Sequence, residues 1–215
     1  QRQMCIRDRI TDAGTPGISD PGEELVKMAY EAGIEVTSLP GACACVTALT
    51  LSGLSTRRFV FEAFLPPDKK EHKLALERLK NETRTMIVYE APHHLLKTLR
   101  ELLETLGNRR LTLCRELTKK HETAWQTTIE DAITRYEQED PKGECVLVIE
   151  GRSQKEIEDE AKAAFEEISI EEHMKRYEDQ GIARKEAMKL VAKDRGVTKR
   201  DIYQYLLGKE SYNDF

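Results

Sequence analysis

Between Ile10 and Glu150 short apolar runs alternate with stretches in which leucines recur every three or four positions, the mark of an α/β layered domain. A helix is predicted over Glu23 to Ala32 and ended by Gly33, then a strand in EVTSLP stopped by Pro40. A small-residue helix follows from Ala42 to Leu51, closed by Ser52 and Gly53, and RFVFEAF is a strand running into Pro66 and Pro67. Lys69 to Asn81 is helical, although Leu74, Leu76 and Leu79 supply only part of a stripe. RTMIVYEA, rich in β-branched and aromatic residues, is a strand halted at Pro92. The strongest helix carries Leu95, Leu96, Leu99, Leu102, Leu103 and Leu106 and ends at Gly107. Strands are expected over Leu111 to Leu117, Thr123 to Thr128 and Glu144 to Ile149, with a helix from Glu130 to Gln138 before the last of them.

After Gly151 the texture changes to helices alone. Ser169-Ile-Glu-Glu172 is a capping box, a second helix runs from Ile182 to Arg195 between Gly181 and Gly196, and Thr198 caps a third through Leu207. Three short helices with glycine-bearing turns suggest a helix-turn-helix. Charge divides the same way: residues 150–172 carry nine acids and three bases, residues 173–209 five acids and ten bases. An acidic linker or helix thus precedes a basic tail, and these runs are either solvated helix faces or, in the tail, contacts for phosphate.

Composition narrows the class. With 215 residues, 34% charged and 39% hydrophobic, the chain can bury a real core, and a net charge of −5 argues against indiscriminate coating of nucleic acid. Its apolar runs fall short of the roughly 18 residues of a membrane span, and no charged leader precedes an apolar core, so the expectation is a soluble, cytoplasmic protein without membrane contact. Five cysteines without a CxxC pair point to reduced core thiols, and no metal constellation stands out. QRQMCIRDR, residues 1–9, has neither strand alternation nor a helical stripe and reads as a foreign leader.

Three stretches carry candidate chemistry. In DAGTPGISDPG, glycine permits φ values closed to other residues while Pro16 and Pro21 hold the loop rigid; the stretch is either a structural turn or a loop offering backbone groups to a small polar ligand. It is neither a P-loop nor GxGxxG. In YEAPHH, Tyr89 to His94, alternation separates Met86, Val88 and Glu90 from Ile87 and Tyr89. Glu90 can accept from ribose hydroxyls and Tyr89 can pack on an adenine or ribose, whereas His93 and His94, at a helix N-terminus, are neutral hydrogen-bonders or caps. In CRELTKKHE, Arg115 interrupts the strand face of Leu111, Leu113 and Leu117 and must find a partner, with Glu116 pointing the other way. It forms either a structural ion pair or a cleft mouth, in which Arg115 or Lys119 grips phosphate and Glu116, Lys119 or His121 helps take a proton.

In this order and spacing, DAGTPGISDPG, LPGACACVTALTLSGL, RFVFEAFLP, YEAPHH, CRELTKKHE and GECVLVIEG resemble the ribosomal RNA small subunit methyltransferase I family of the tetrapyrrole-methylase superfamily. The resemblance implies an α/β, two-lobed tetrapyrrole-methylase-like fold with its first lobe truncated and a small all-α, helix-turn-helix-like domain at the end. It divides the chain into a leader (1–9), a remnant of the N-terminal lobe (10–40), the C-terminal α/β lobe (41–151), an acidic linker or helix (152–168) and an RNA-binding domain (169–208). It implies S-adenosylmethionine-dependent methylation of a cytidine ribose 2′-hydroxyl in the 16S rRNA of the small ribosomal subunit, by a homodimer. Asp12, Gly14, Thr15, Pro16, Cys43, Ala44, Tyr89, Glu90 and Ala91 would line the cofactor, with the backbone near Arg115 and Gly143 completing the pocket. Glu116, Lys119 and His121 are the candidates for catalysis. Arg115, Lys175, Arg176, Arg184, Lys185, Lys199 and Arg200 are the candidates for holding RNA. His94 stands where the family motif carries arginine. A small-molecule methylase of the tetrapyrrole type and a non-catalytic helix-turn-helix regulator are the competing expectations.

Overall fold

The structure, a computed structural model, describes Thr11 and residues 14–19, 21–166 and 168–210, with backbone alone at 158, 161, 162, 164, 166 and 208–210. The leader 1–9 and the candidate Asp12 lie outside the described residues. The chain divides into two compact units, 1–152 and 153–215.

In the first unit, α1 (Glu23–Glu31) and α2 (Ala44–Leu51) precede β1 (Phe59–Phe64), α3 (Lys69–Lys80), β2 (Thr85–Glu90), α4 (Pro92–Leu106), β3 (Arg110–Arg115), β4 (Thr123–Thr128), α5 (Ile129–Tyr136) and β5 (Cys145–Ile149). The strands form one sheet in the order β1-β2-β5-β3-β4. β1 and β2 are parallel, as a strand-helix-strand crossover through α3 requires, and the other pairings are antiparallel. The continuous apolar run CVLVI takes a central place because both of its faces are covered: every residue of β5 is buried.

Alternation assigns those two faces. Met86, Val88, Leu111, Leu113, Leu147 and Ile149 pack with Leu79, Leu95, Leu99, Leu102 and Ile129 from α3, α4 and α5. Ile87, Cys114, Val146 and Val148 pack on the other side with Cys45, Ala48 and Leu49 of α2. The leucine stripe of α4 explains why that helix is straightforward to find: Leu95, Leu99 and Leu102 are fully buried, each contributing about 1.5–3 kcal/mol. Pro92 suits its first turn and Gly107 follows its end.

Two expected elements differ. EVTSLP, residues 35–40, forms no strand, because no described strand runs beside it to complete a ladder and a β-strand exists only through such pairing. The strand expected to reach Leu117 ends at Arg115, since Glu116 (φ 50°) and Thr118 (φ 63°) turn the chain out of the extended region. Leu117 consequently packs with the α2 side of the sheet and not with Leu111 and Leu113.

The second unit holds α6 (Gln154–Glu166), α7 (Ile170–Glu178), α8 (Arg184–Arg195) and α9 (Lys199–Glu210). The Ser169 hydroxyl accepts from the Glu172 N–H at 3.1 Å and the Thr198 hydroxyl from Asp201 N–H at 3.2 Å, so both residues cap their helices, although the Glu172 carboxylate that a capping box would turn back to Ser169 bonds Arg176 instead. Met174, Ala187, Val191, Ala192 and Ile202 make a small core. The acidic stretch belongs to this unit, α6 packing on α8.

Candidate functional site

The register brings the candidate residues to one edge of the sheet. Glu90 lies opposite Cys145, Cys145 opposite Arg115, and Arg115 opposite Thr123, while Phe64 pairs with Tyr89. The ends of β1, β2 and β3 and the starts of β4 and β5 therefore share a rim, the place where loops of an α/β sheet collect ligands.

On the α2 side of this rim the glycine-rich loop meets the turn before α2. The Thr15 N–H donates to Ala42 O at 2.8 Å and its hydroxyl donates to the same carbonyl at 3.1 Å. Gly14 has φ 76°, and a Cβ there would stand 2.7 Å from Ala42 O, so both the backbone conformation and the close approach require glycine. Downstream of that turn, the Cys45 N–H, one of the unpaired amides of the first turn of α2, donates to the Tyr89 hydroxyl at 2.9 Å. Gly14, Thr15, Ala42, Cys43, Cys45 and Tyr89 thus form one connected cradle. Burial, followed by the neighbouring Cys45, raises the Tyr89 phenol above its ordinary range, so it serves as a neutral group.

Sequence reasoning missed the aromatic wall of this cradle. Phe61 and Phe64 are three residues apart and alternation would send them to opposite faces, yet both rings meet Tyr89 edge-on, at 5.0 and 5.6 Å. A register shift between Phe61 and Ala63, with Ala63 at φ 54°, brings them to one side. RFVFEAF contains no glycine, proline or other mark of a bulge.

The opposite face of the rim is built differently. Glu90 is buried, and its carboxylate accepts from the Ala91 N–H at 2.8 Å and the Thr98 hydroxyl at 2.6 Å. The side chain expected to meet a ribose is instead turned toward α4, because β2 alternation that sends Tyr89 to the α2 side sends Glu90 to the other. Arg115 Nε donates to Lys142 O at 2.8 Å, so the partner of the guanidinium is a backbone carbonyl and not Glu116. Beyond the end of β3, where the chain turns, Glu116 pairs with Lys119, Oε1 to Nζ 3.2 Å. The same oxygen would lie 2.5 Å from a Cβ at Gly143, whose φ is 74°; glycine there leaves room for the carboxylate. Arg115, Glu116, Lys119, Lys142 and Gly143 form a second polar cluster. His121 is exposed in the following turn, and His93 and His94 are exposed on the first turn of α4 with ring centroids 4.2 Å apart.

In the second unit Lys175, Arg176, Arg184, Lys185 and Arg200 are exposed and Lys199 is half-buried. Arg176 bonds Glu172 at 3.1 Å. Arg184 with Lys185, and Lys199 with Arg200, open α8 and α9. Lys189 holds the Glu186 carboxyl below its usual range, with smaller contributions from Lys199 and Lys185, so the starts of α8 and α9 lie within electrostatic reach of each other. Among the described residues no three His, Cys, Asp or Glu side chains gather as a metal site requires, and no helix is long and apolar enough to cross a membrane.

The family model for Tetrapyrrole (Corrin/Porphyrin) Methylases matches residues 9–133. Ribosomal RNA small subunit methyltransferase I of Synechocystis is 43% identical over 203 residues, which cover 94% of this chain and 71% of the relative. The chain belongs to the ribosomal RNA small subunit methyltransferase I family of tetrapyrrole methylases. Another family member of that name, from Halalkalibacterium halodurans, is 47% identical over 194 residues, covering 90% of this chain and 66% of its own length. The Bacillus subtilis relative is 44% identical with the same two shares. The chain spans about two thirds of the length of these curated family members. Among solved structures, the methyltransferase CobJ is 20% identical with a TM-score of 0.48, covering 64% of this chain and 62% of that one.

Proposed function

We propose that this chain takes part in transferring a methyl group from S-adenosylmethionine to the ribose 2′-hydroxyl of a cytidine in 16S rRNA, working as a homodimer on the small ribosomal subunit. The observation that carries the reading is the cradle in which the Gly14–Thr15 loop, the Ala42 carbonyl and Tyr89 meet. It stands beside the name that the relatives carry. The cradle suits the cofactor: Gly14 lets the loop seat against the Ala42 carbonyl, and Tyr89 with Phe64 offers aromatic surface for an adenosine. Gly14, Thr15, Pro16, Cys43, Ala44, Tyr89 and Ala91 would hold it, and it supplies an electrophilic methyl group on a sulfonium.

Methyl transfer is an in-line displacement in which positioning accounts for much of the acceleration. Glu116, half-buried and fixed by its neighbours, supplies an acceptor for the proton of the ribose hydroxyl, and Lys119 beside it supplies a cation for a phosphate. Arg115 keeps the loop carrying Lys142 and Gly143 in place against the strand end. The paired openings of α8 and α9 present cations where the helix dipole disfavours them, an arrangement that an external phosphate relieves.

The test is transfer of a labelled methyl group to small ribosomal subunits lacking this modification, with the product nucleoside mapped. Label in a cytidine 2′-O-methyl group supports the proposal. Label confined to the base, or accepted by a tetrapyrrole and not by the subunit, overturns it.

A further inference from the structure

Cys43 Sγ and Cys45 Sγ lie 3.3 Å apart at the start of α2. Cys43 is the residue before the helix, with extended backbone (φ −140°, ψ 114°), and is partly open to solvent, whereas Cys45 is buried in the cluster that includes Ile87 and Val146. A disulfide needs its sulfurs at about 2.05 Å. The pair must close by only roughly 1 Å more, and the Cys43 side chain is not held by a capping bond. Cys114 and Cys145 are buried, and burial pushes both thiols up to about 11.

We propose that Cys43 and Cys45 form an oxidation site, a vicinal dithiol that a small-molecule disulfide of the glutathione class converts to an intramolecular disulfide. Cys43, the accessible member, loses its proton to solvent, and its thiolate attacks one sulfur of the oxidant. A mixed disulfide forms and one small thiolate leaves. Cys45 then loses its proton and attacks Cys43 Sγ, expelling the second thiolate. Two protein thiols are oxidised by two electrons, one small disulfide is reduced to two thiols, and the two protons end on those products or on water.

Burial, followed by the adjacent Cys43, pushes the Cys45 thiol up to about 11, so closure speeds up by about tenfold per pH unit over the range below that value. A ring spanning one intervening residue is strained, which makes it readily reversible by reducing thiols. It would form between the turn that anchors Thr15 and the amide that bonds Tyr89, so the cradle feels the change directly.

The full chain is treated with glutathione disulfide at mildly alkaline pH, capped with N-ethylmaleimide and mapped by peptide mass. The peptide holding both cysteines should lose two hydrogens and carry neither glutathione nor maleimide, and dithiothreitol should restore two capping sites. Cys45→Ala should stop at a glutathione adduct on Cys43, and Cys43→Ser should give neither product. A wild-type protein that stops at the adduct, or keeps both thiols fully cappable while a control dithiol is oxidised, overturns the proposal. So does a disulfide joining Cys45 to any other cysteine.

Discussion

At the residue scale the rim is shaped by positions where one atom decides what fits. Gly143 is such a position: a methyl group there would meet the Glu116 carboxylate, and its backbone angle penalises any side chain. Gly143→Ala is expected to cost about 1–2 kcal/mol and to displace Glu116; thermal unfolding reads the first effect. Methyl transfer falling with little change in cofactor affinity reads the second. Tyr89→Phe removes the acceptor for the Cys45 N–H and should cost about 0.5–1.5 kcal/mol. Tyr89→Ala also removes the ring that Phe61 and Phe64 enclose and, if the cradle holds the cofactor, should weaken S-adenosylhomocysteine about tenfold or more by calorimetry. Unchanged affinity in Tyr89→Ala would move the cofactor elsewhere.

At the scale of elements, β2 connects two cores and ends in two different environments. One face carries Ile87 and Tyr89 to α2, the other Met86, Val88 and Glu90 to α4, and Glu90 ties the strand end to that helix through Thr98. Thr98→Val keeps the volume and removes the donor, leaving a buried carboxylate short of one partner. A loss of about 1.5–3 kcal/mol in denaturant unfolding is expected. Leu99→Ala, which opens a void in the fully buried α4 stripe, should cost about 2–5 kcal/mol.

At the scale of the whole molecule, the two units have stability terms of different kinds. The first rests on an extended sheet core. The second is small and contains a buried polar network, in which His173 Nε2 is 3.2 Å from Asp194, the Tyr177 hydroxyl donates to the same carboxylate at 2.6 Å, and Phe165 stacks on the His173 ring at 4.3 Å. Burial first, and then Arg195, lower the His173 pKa below 6.5 despite Asp194. In the window between that lowered value and 6.5 the unfolded chain binds a proton that the folded unit refuses, so stability is full above about pH 6.5 and declines as pH falls. Amide exchange in α7 and α8 should accelerate over that window while the sheet stays protected. His173→Phe, retaining the stack, should flatten the dependence. Equal acid sensitivity in both units would refute it.

How much of this was legible depended on the range of the forces involved. The α4 stripe, the β5 run, the Ser169 and Thr198 caps and the two faces of β2 follow from local periodicity and local hydrogen bonds, and so were open to reading residue by residue. So was the family, because its motifs lie in the order of the chain. EVTSLP has the composition of a strand but not a partner, Leu117 changes sides through one turn at Glu116, and the bulge in β1 gathers two phenylalanines on one tyrosine. The proximity of Cys43 and Cys45 to Tyr89, and the inward turn of Glu90, likewise required the completed sheet. Sequence alone determined which segments become helices and strands wherever burial repeats with their period. Only the tertiary structure decided which side chains remain available at the rim, since that depends on contacts between residues far apart in the chain.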